Sequence, residues 1–163
     1  KAAIIRVKSL EESHQIPKEN GFAPERTITK AMVLDIYFKG DELPITLEIG
    51  DYIWLGQGFY VDNKKNELYI LDNSSLVVPG CEYILYSSTN VEVCYEDLPI
   101  LGAPASSLVP INISNDEYEK IMKKNNFKYV RHNDICTKAI AKYINGNGSG
   151  NGNGTENGNN TES

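Results

Sequence analysis

Residues 27–38 read TITKAMVLDIYF. Side chains of an extended chain alternate between two faces, so Ile28, Met32, Leu34, Ile36 and Phe38 share one side and Thr27, Thr29, Ala31, Val33, Asp35 and Tyr37 the other. The stretch predicts a long strand whose Ile/Met/Leu/Phe side lies in a core. Upstream, Lys1–Lys8 (KAAIIRVK) predicts a first strand, and Pro17, Gly21 and Pro24 place a long loop between the two. Downstream, Gly40, Asp41 and Pro44 turn the chain into an alternating run, Ile45–Ile49, which Gly50-Asp51 breaks before Tyr52–Leu55. Phe59–Asp62 and Glu67–Leu71 flank Asn63-Lys64-Lys65-Asn66, a hairpin loop whose Asn residues tolerate left-handed backbone. Cys81–Ser87 and Val91–Tyr95 predict a second hairpin around Ser88-Thr89-Asn90. About seven short strands at this spacing favour a sandwich or barrel over an α/β fold.

The chain changes character after residue 98. Pro99, Pro104 and Pro110, with Gly102, Ala103, Ser106 and Ser107, predict a strandless connector over 99–112, because proline gives no donor to a ladder. Helix signals follow. Ser114 and Glu117 have the spacing of a capping box, Ile113 and Tyr118 that of a hydrophobic staple, and Tyr118, Ile121 and Met122 form an apolar stripe. After an extended link at Phe127–Val130, a second amphipathic helix is predicted from Asn133, with Ile135, Cys136, Ala139, Ile140, Tyr143 and Ile144 on one side and Asn145-Gly146 as its C-cap. Residues 145–163 are almost wholly Asn, Gly, Ser, Thr and Glu, which predicts a disordered tail, since ordering costs roughly 1 to 2 kcal/mol per residue with no apolar burial to offset it. The expected organisation is a β domain over 1–98, the connector, a basic helical subdomain over 113–144 and the tail.

Sixteen basic and 22 acidic residues give a net charge of −6, which disfavours non-specific binding to nucleic acid or anionic membranes. The distribution is uneven: seven basic against two acidic side chains in 118–144, nine against eighteen in 1–117. A basic end on an acidic body suits head-to-tail association or an acidic partner. The chain has no apolar run of the roughly 20 residues needed to span a bilayer, and its N-terminus lacks a signal-peptide layout. Three cysteines, Cys81, Cys94 and Cys136, argue for free thiols, although a Cys81–Cys94 bridge stays open if their strands pair.

Catalytic patterns are weak. His132 and Cys136 stand four apart but lack the further ligands of a metal site, His14 has no identifiable partner, and Gly56-Gln57-Gly58 precedes a strand, so it reads as a bulge or turn instead of a phosphate loop. Glu96-Asp97 and Asp41-Glu42 read as solvated loop ends. No cofactor or metal is expected, and no enzymatic activity. Tyr37, Trp54, Tyr60, Tyr69, Tyr86 and Tyr95 could instead line a carbohydrate- or ligand-binding face.

Val77-Val78-Pro79-Gly80-Cys81-Glu82-Tyr83 resembles the corner at which fibronectin type III and other immunoglobulin-like sandwiches pass between sheets. The resemblance implies an immunoglobulin-like antiparallel sandwich in which Pro79 and Gly80 set the turn and Tyr83 hydrogen-bonds its hydroxyl to upstream backbone. The whole layout, a β body with a Pro/Ser connector, a basic helical piece and a Gly/Asn tail, resembles auxiliary or decoration proteins of tailed-bacteriophage capsids. That resemblance implies a non-enzymatic virion component contacting neighbouring protein subunits, with Tyr118, Ile121, Lys123, Lys124, Ile135, Ile140 and Tyr143 as partner contacts, and a virion or otherwise cytoplasmic location. The rival readings are the ligand-binding β module, an enzyme using Cys136, and nucleic-acid contact through the basic helices.

Overall fold

The computed structural model describes residues 3–16, 26–41, 43, 45–62, 64–70, 76–87, 94–103, 107–125 and 138–146. The chain is mainly β. The strands are β1 (Ala3–Ser9), β2 (His14–Ile16), β3 (Arg26–Lys39), β4 (Tyr52–Gln57), β5 (Phe59–Asp62), β6 (Glu67–Ile70), β7 (Glu82–Ser87), β8 (Cys94–Tyr95), β9 (Leu98–Gly102) and β10 (Leu108–Pro110). Helix α1 spans Asn115–Lys124, and Ile140–Asn145 is wound as a π-helix. An eight-stranded sheet runs β10-β7-β1-β3-β4-β9-β8, with β2 beside β3 on the line of β1, and β5-β6 form a separate ribbon.

The long strand lies where expected, but its inward side differs. Ala31 and Val33 enter the main core with Ile5, Val7, Tyr83 and Leu85, and Thr27 and Thr29 are buried beside them, whereas Phe38 is 46% exposed. Residues 27–33 alternate regularly with the odd-numbered side inward. Beyond them two register shifts against β1, Val7 facing Val33 and Arg6 Asp35 with Leu34 skipped, and Ile5 facing Ile36 and Ile4 Phe38 with Tyr37 skipped, turn Ile36 inward and leave Phe38 outside. Each inserted residue flips the side chains beyond it. The sheet is also covered on both sides. Tyr118 and Met122 of α1, Leu43, Leu47, Phe59 and Val77 close the main core; on the other side Ala139, Tyr143 and Ile144 pack on Ile4, Ile84 and Val109, while Ile28, Trp54 and Ile100 form a third cluster.

Four further expectations are corrected. Ile45–Ile49 is no strand: Glu48–Asp51 turns tightly, with the Asp51 carboxylate accepting from the Glu48 amide at 2.8 Å, and Ile49 points to solvent. The connector is not strandless, since β9 and β10 occupy it. Pro110 sits at the sheet's outer edge, where a missing N–H removes no ladder bond. β8 pairs with β9 and not with β7, whose neighbours are β1 and β10. Because β4 and β9 run parallel, the sheet is mixed, not wholly antiparallel. Gly56 permits that pairing, as a Cβ there would meet Ile100 Cγ2 at 3.0 Å.

At the C-terminal end, Ser114 caps α1 by accepting from the Glu117 amide at 3.2 Å. The second helix is described only from residue 138. Gly146 is not a left-handed cap: its φ is −76° and its N–H donates to the Ala141 carbonyl at 2.8 Å, the i−5 bond of a π-turn. The loop prolines Pro17 and Pro24, the turn Ser88-Thr89-Asn90, the link Phe127–Val130, Asn133, Ile135, Cys136 and the tail beyond Gly146 lie outside the described residues.

Candidate functional site

The clearest unusual feature is how the β5-β6 ribbon is attached. At this end the core-facing positions of the sheet are polar: Ser13, Thr27, Thr29 and Gln57. Gln57, 2% exposed, donates to Ser13 Oγ at 3.0 Å and Thr29 Oγ1 at 2.8 Å and accepts from the Val77 amide at 2.8 Å. The Ser13 and Thr29 hydroxyls are 2.6 Å apart. All polar atoms of the Gln57 amide are thus satisfied without solvent. Phe59 roots the ribbon in the core, and Thr27 Oγ1 donates to the Phe59 carbonyl at 2.5 Å. Gln15 then copies a strand partner with its side chain: its Nε2 donates to the Val61 carbonyl at 3.1 Å and its Oε1 accepts from the Val61 amide at 2.6 Å.

Beyond that anchorage the ribbon meets solvent. Asp62 Oδ1 accepts from the amides of Lys64 and Lys65, and Asn66 takes φ +54°, the left-handed backbone expected of it, while Asn63 lies outside the described residues. One face carries Phe59, Val61, Leu68 and Ile70, the last two 37% and 40% exposed. The other carries Tyr60 and Tyr69, stacked with ring centroids 4.8 Å apart at 11°. Tyr69 donates to Glu67 at 2.5 Å, and that bond pushes its phenol up to about 12. A cleft of about 450 Å³ opens beside the ribbon, bounded by Ser13, Gln15, Val61, Val77, Pro79 and Ile121.

The aromatic residues read as one binding face are divided among three places. Trp54 is buried, its indole N–H donating to the Tyr95 carbonyl at 2.9 Å, with His14 edge-on at 5.2 Å. Tyr37 and Tyr86 pack against Tyr143, the first at 4.7 Å between ring centroids. Only Tyr60 and Tyr69 sit together on the ribbon. The chain matches no protein-family model and no curated protein.

The residues read as partner contacts are also separated. Tyr118 is buried in the main core, its hydroxyl donating to the Leu76 carbonyl at 2.9 Å, and Ile121 packs on the same core, so this stripe is taken up by the β body. Lys123 and Lys124 are exposed, Lys123 pairing with Glu119 at 2.7 Å. Ile140 is half-buried and Tyr143 packs under the sheet's far side. Pro79 and Gly80 form a turn closed by the Cys81 amide on the Val78 carbonyl at 3.2 Å, with Gly80 at φ +77° where only glycine is unstrained. Tyr83 is buried and its hydroxyl accepts from the Val78 amide at 2.8 Å. Burial raises both the Tyr83 phenol and the neighbouring Cys81 thiol above their ordinary values.

Cys81 and Cys94 are free thiols, the first buried and the second exposed, so they form no bridge. Glu96 and Asp97 occupy the two left-handed positions of a tight turn joining β8 to β9, with φ +48° and +63°. This is the backbone of a type I′ hairpin, for which Asn-Gly is the favoured pair. Among the described residues no group of three or more His, Cys, Asp or Glu could hold a metal, and no helix is long and apolar enough to cross a membrane. Gln15 and Gln57 as anchors, and Leu68 and Ile70 as exposed groups, were not singled out from the sequence. The alternation of Leu68 and Ile70 within the predicted hairpin was the available signal.

Proposed function

We propose that this protein is a non-catalytic structural or assembly protein that works by contacting neighbouring protein subunits. The observation carrying this reading is the ribbon: a strand pair with one apolar face, held to the body through side chains, with Leu68 and Ile70 presented to solvent. Exposed apolar groups on a projecting element suit a protein contact. An auxiliary or decoration role on a capsid is the specific form of the proposal, supported by the mainly β body, the lysine-bearing end of α1 and the Gly/Asn-rich C-terminal sequence. An immunoglobulin-like ancestry for the body is part of the same reading, supported by the Pro79-Gly80 turn and the Tyr83–Val78 bond.

The test is to mix the purified chain with assembled particles from its source, sediment them and locate the chain by electron microscopy. Stoichiometric co-sedimentation at repeated lattice positions is expected. A chain that stays in the supernatant at every concentration and ionic strength would sink the proposal.

A further inference from the structure

The backbone of β6 is aimed at a partner strand that the described residues do not supply. In an antiparallel pair each residue turns both its N–H and its C=O either toward its neighbour or away from it, in alternation. Gln15 binds the amide and the carbonyl of Val61, so both groups of Val61 point away from β6, and Thr27 shows the same for the Phe59 carbonyl. With Phe59 opposite Ile70 and Val61 opposite Leu68, the bonded pairs of the ribbon are Tyr60–Tyr69 and Asp62–Glu67. It follows that the N–H and C=O of Leu68 and of Ile70 face the ribbon's outer edge.

That edge is unlike the other strand ends. The main sheet finishes at β10, three residues with Pro110 last, and at β8, two residues long. Among the described residues both are too short to template another strand, which is how edges are ordinarily protected. β6 has four residues, no proline and no bulge.

We propose that β6 pairs with β6 of a second copy, antiparallel about a two-fold axis, with Leu68 opposite Ile70 of the other copy and Tyr69 opposite its own equivalent. Three features of the strand agree on this register. The outward groups of Leu68 and Ile70 become bonded pairs, giving about four hydrogen bonds across the axis, while Tyr69 falls at the close non-bonded position between them. Side chains directly opposite share a face, so the exposed apolar face continues across the axis and covers Leu68 and Ile70 on both copies. On the reverse face the Tyr60–Tyr69 stack extends into a ladder of the two pairs. The register centred on Leu68 would need Asn66 in the ladder, and its left-handed φ of +54° takes it out of strand geometry. The partner of this surface is therefore the chain itself. The contact is small, so it belongs with weak interfaces that act through high local concentration. It deepens the assembly reading and rests on that reading for its setting.

Sedimentation equilibrium up to about 1 mM, the range in which weak pairs populate, should show a monomer–dimer equilibrium. Ile70→Lys puts a charge against the apolar face, and Leu68→Pro removes an outward donor while leaving every bond between β5 and β6; each should weaken dimerisation at least about tenfold. Circular dichroism must match the unmodified chain for either to count. Tyr69→Cys, made in a Cys94→Ser, Cys136→Ser chain, should form a disulfide-linked dimer on mild oxidation, since close non-bonded pairs hold their Cα atoms about 4.5 Å apart, within disulfide reach. Hydrogen exchange should show Leu68 and Ile70 amides gaining protection with concentration while Glu67 and Tyr69 stay protected throughout. A monomer at every concentration, or a dimer indifferent to all these changes, overturns the inference. A chain that decorates particles yet stays monomeric at every concentration would overturn it and leave the assembly reading standing; a β6 dimer that never joins a particle would do the reverse.

Discussion

Replacing Gln57 by leucine tests whether the polar end of the core is a structural joint. Leucine is close in volume but removes one acceptor and two donors from a site 2% exposed. Ser13 and Thr29 lose the Gln57 amide yet keep each other at 2.6 Å, so their loss is limited to the net value of about two hydrogen bonds, ~0.5–1.5 kcal/mol each. The Val77 amide has no such fallback. Val77 is buried, and an unsatisfied buried N–H costs about 1–3 kcal/mol. The added apolar burial of leucine returns roughly 1 kcal/mol. The balance is a destabilisation of about 1–5 kcal/mol, read in urea as a lower midpoint at unchanged slope. A double-mutant cycle with Thr29→Val sharpens the claim, because groups in one network should couple by about 0.5–3 kcal/mol. A Gln57→Leu chain within about 0.5 kcal/mol of the parent, the range of a neutral surface change, would refute the reasoning.

Tyr83→Phe removes the acceptor of the Val78 amide with little change in packing, so a loss of about 1–2 kcal/mol is expected in the same urea assay. Asp97→Gly relieves a left-handed residue and should raise the melting temperature, by the equivalent of about 1 kcal/mol; an unchanged or lower value would count against the turn geometry. The Tyr83 phenol is held above its ordinary 10.0 by burial, so the folded state keeps that proton longer than the unfolded chain does. Its contribution to stability is complete below pH of about 10 and declines as pH rises beyond it, so absorbance at about 295 nm should show Tyr83 ionising only together with unfolding. Tyr69 is the local control: its pKa is raised to about 12 by the bond to Glu67, so Glu67→Gln should lower it toward 10.0, seen in the same titration without unfolding.

What could be read in the chain follows from how local each determinant is. Strand β3, the β5-β6 hairpin and the Ser114 cap rest on neighbouring residues, and each was visible in alternation, loop chemistry or capping spacing. The inward side of β3 was not: beyond Val33 it depends on two insertions relative to β1 that no period within β3 records, and before it both sides of the strand are covered. Ile28 and Val33 are both buried, on opposite sides of the sheet, so hydrophobicity alone could not choose between them. The strands β9 and β10 were hidden by Pro99 and Pro110; Pro110 is tolerated because its missing donor faces the outer edge of the sheet. Of the site, Tyr60 and Tyr69 were picked out only among six aromatics of one face and not as a pair, and the anchors Gln15 and Gln57 act over separations of 46 and 20 residues.

The two ends of the core stabilise different things. Where Ile5, Val7, Leu85 and Met122 meet, burial is apolar and non-directional, so it favours compactness and tolerates small shifts. Where Ser13, Thr29, Gln57 and Val77 meet, each bond needs its partner in place, and the network fixes position more than it adds stability. The ribbon hangs from the second kind of joint. Gln15 orients Val61 by bonding both of its backbone groups, and through the alternation of the ladder that orientation decides which groups of β6 look outward. A slip of one residue between Gln15 and β5 would turn the Tyr69 groups outward in place of those of Leu68 and Ile70 and move the apolar face to the opposite side. The side chain that anchors the ribbon thereby also sets what the ribbon can bind.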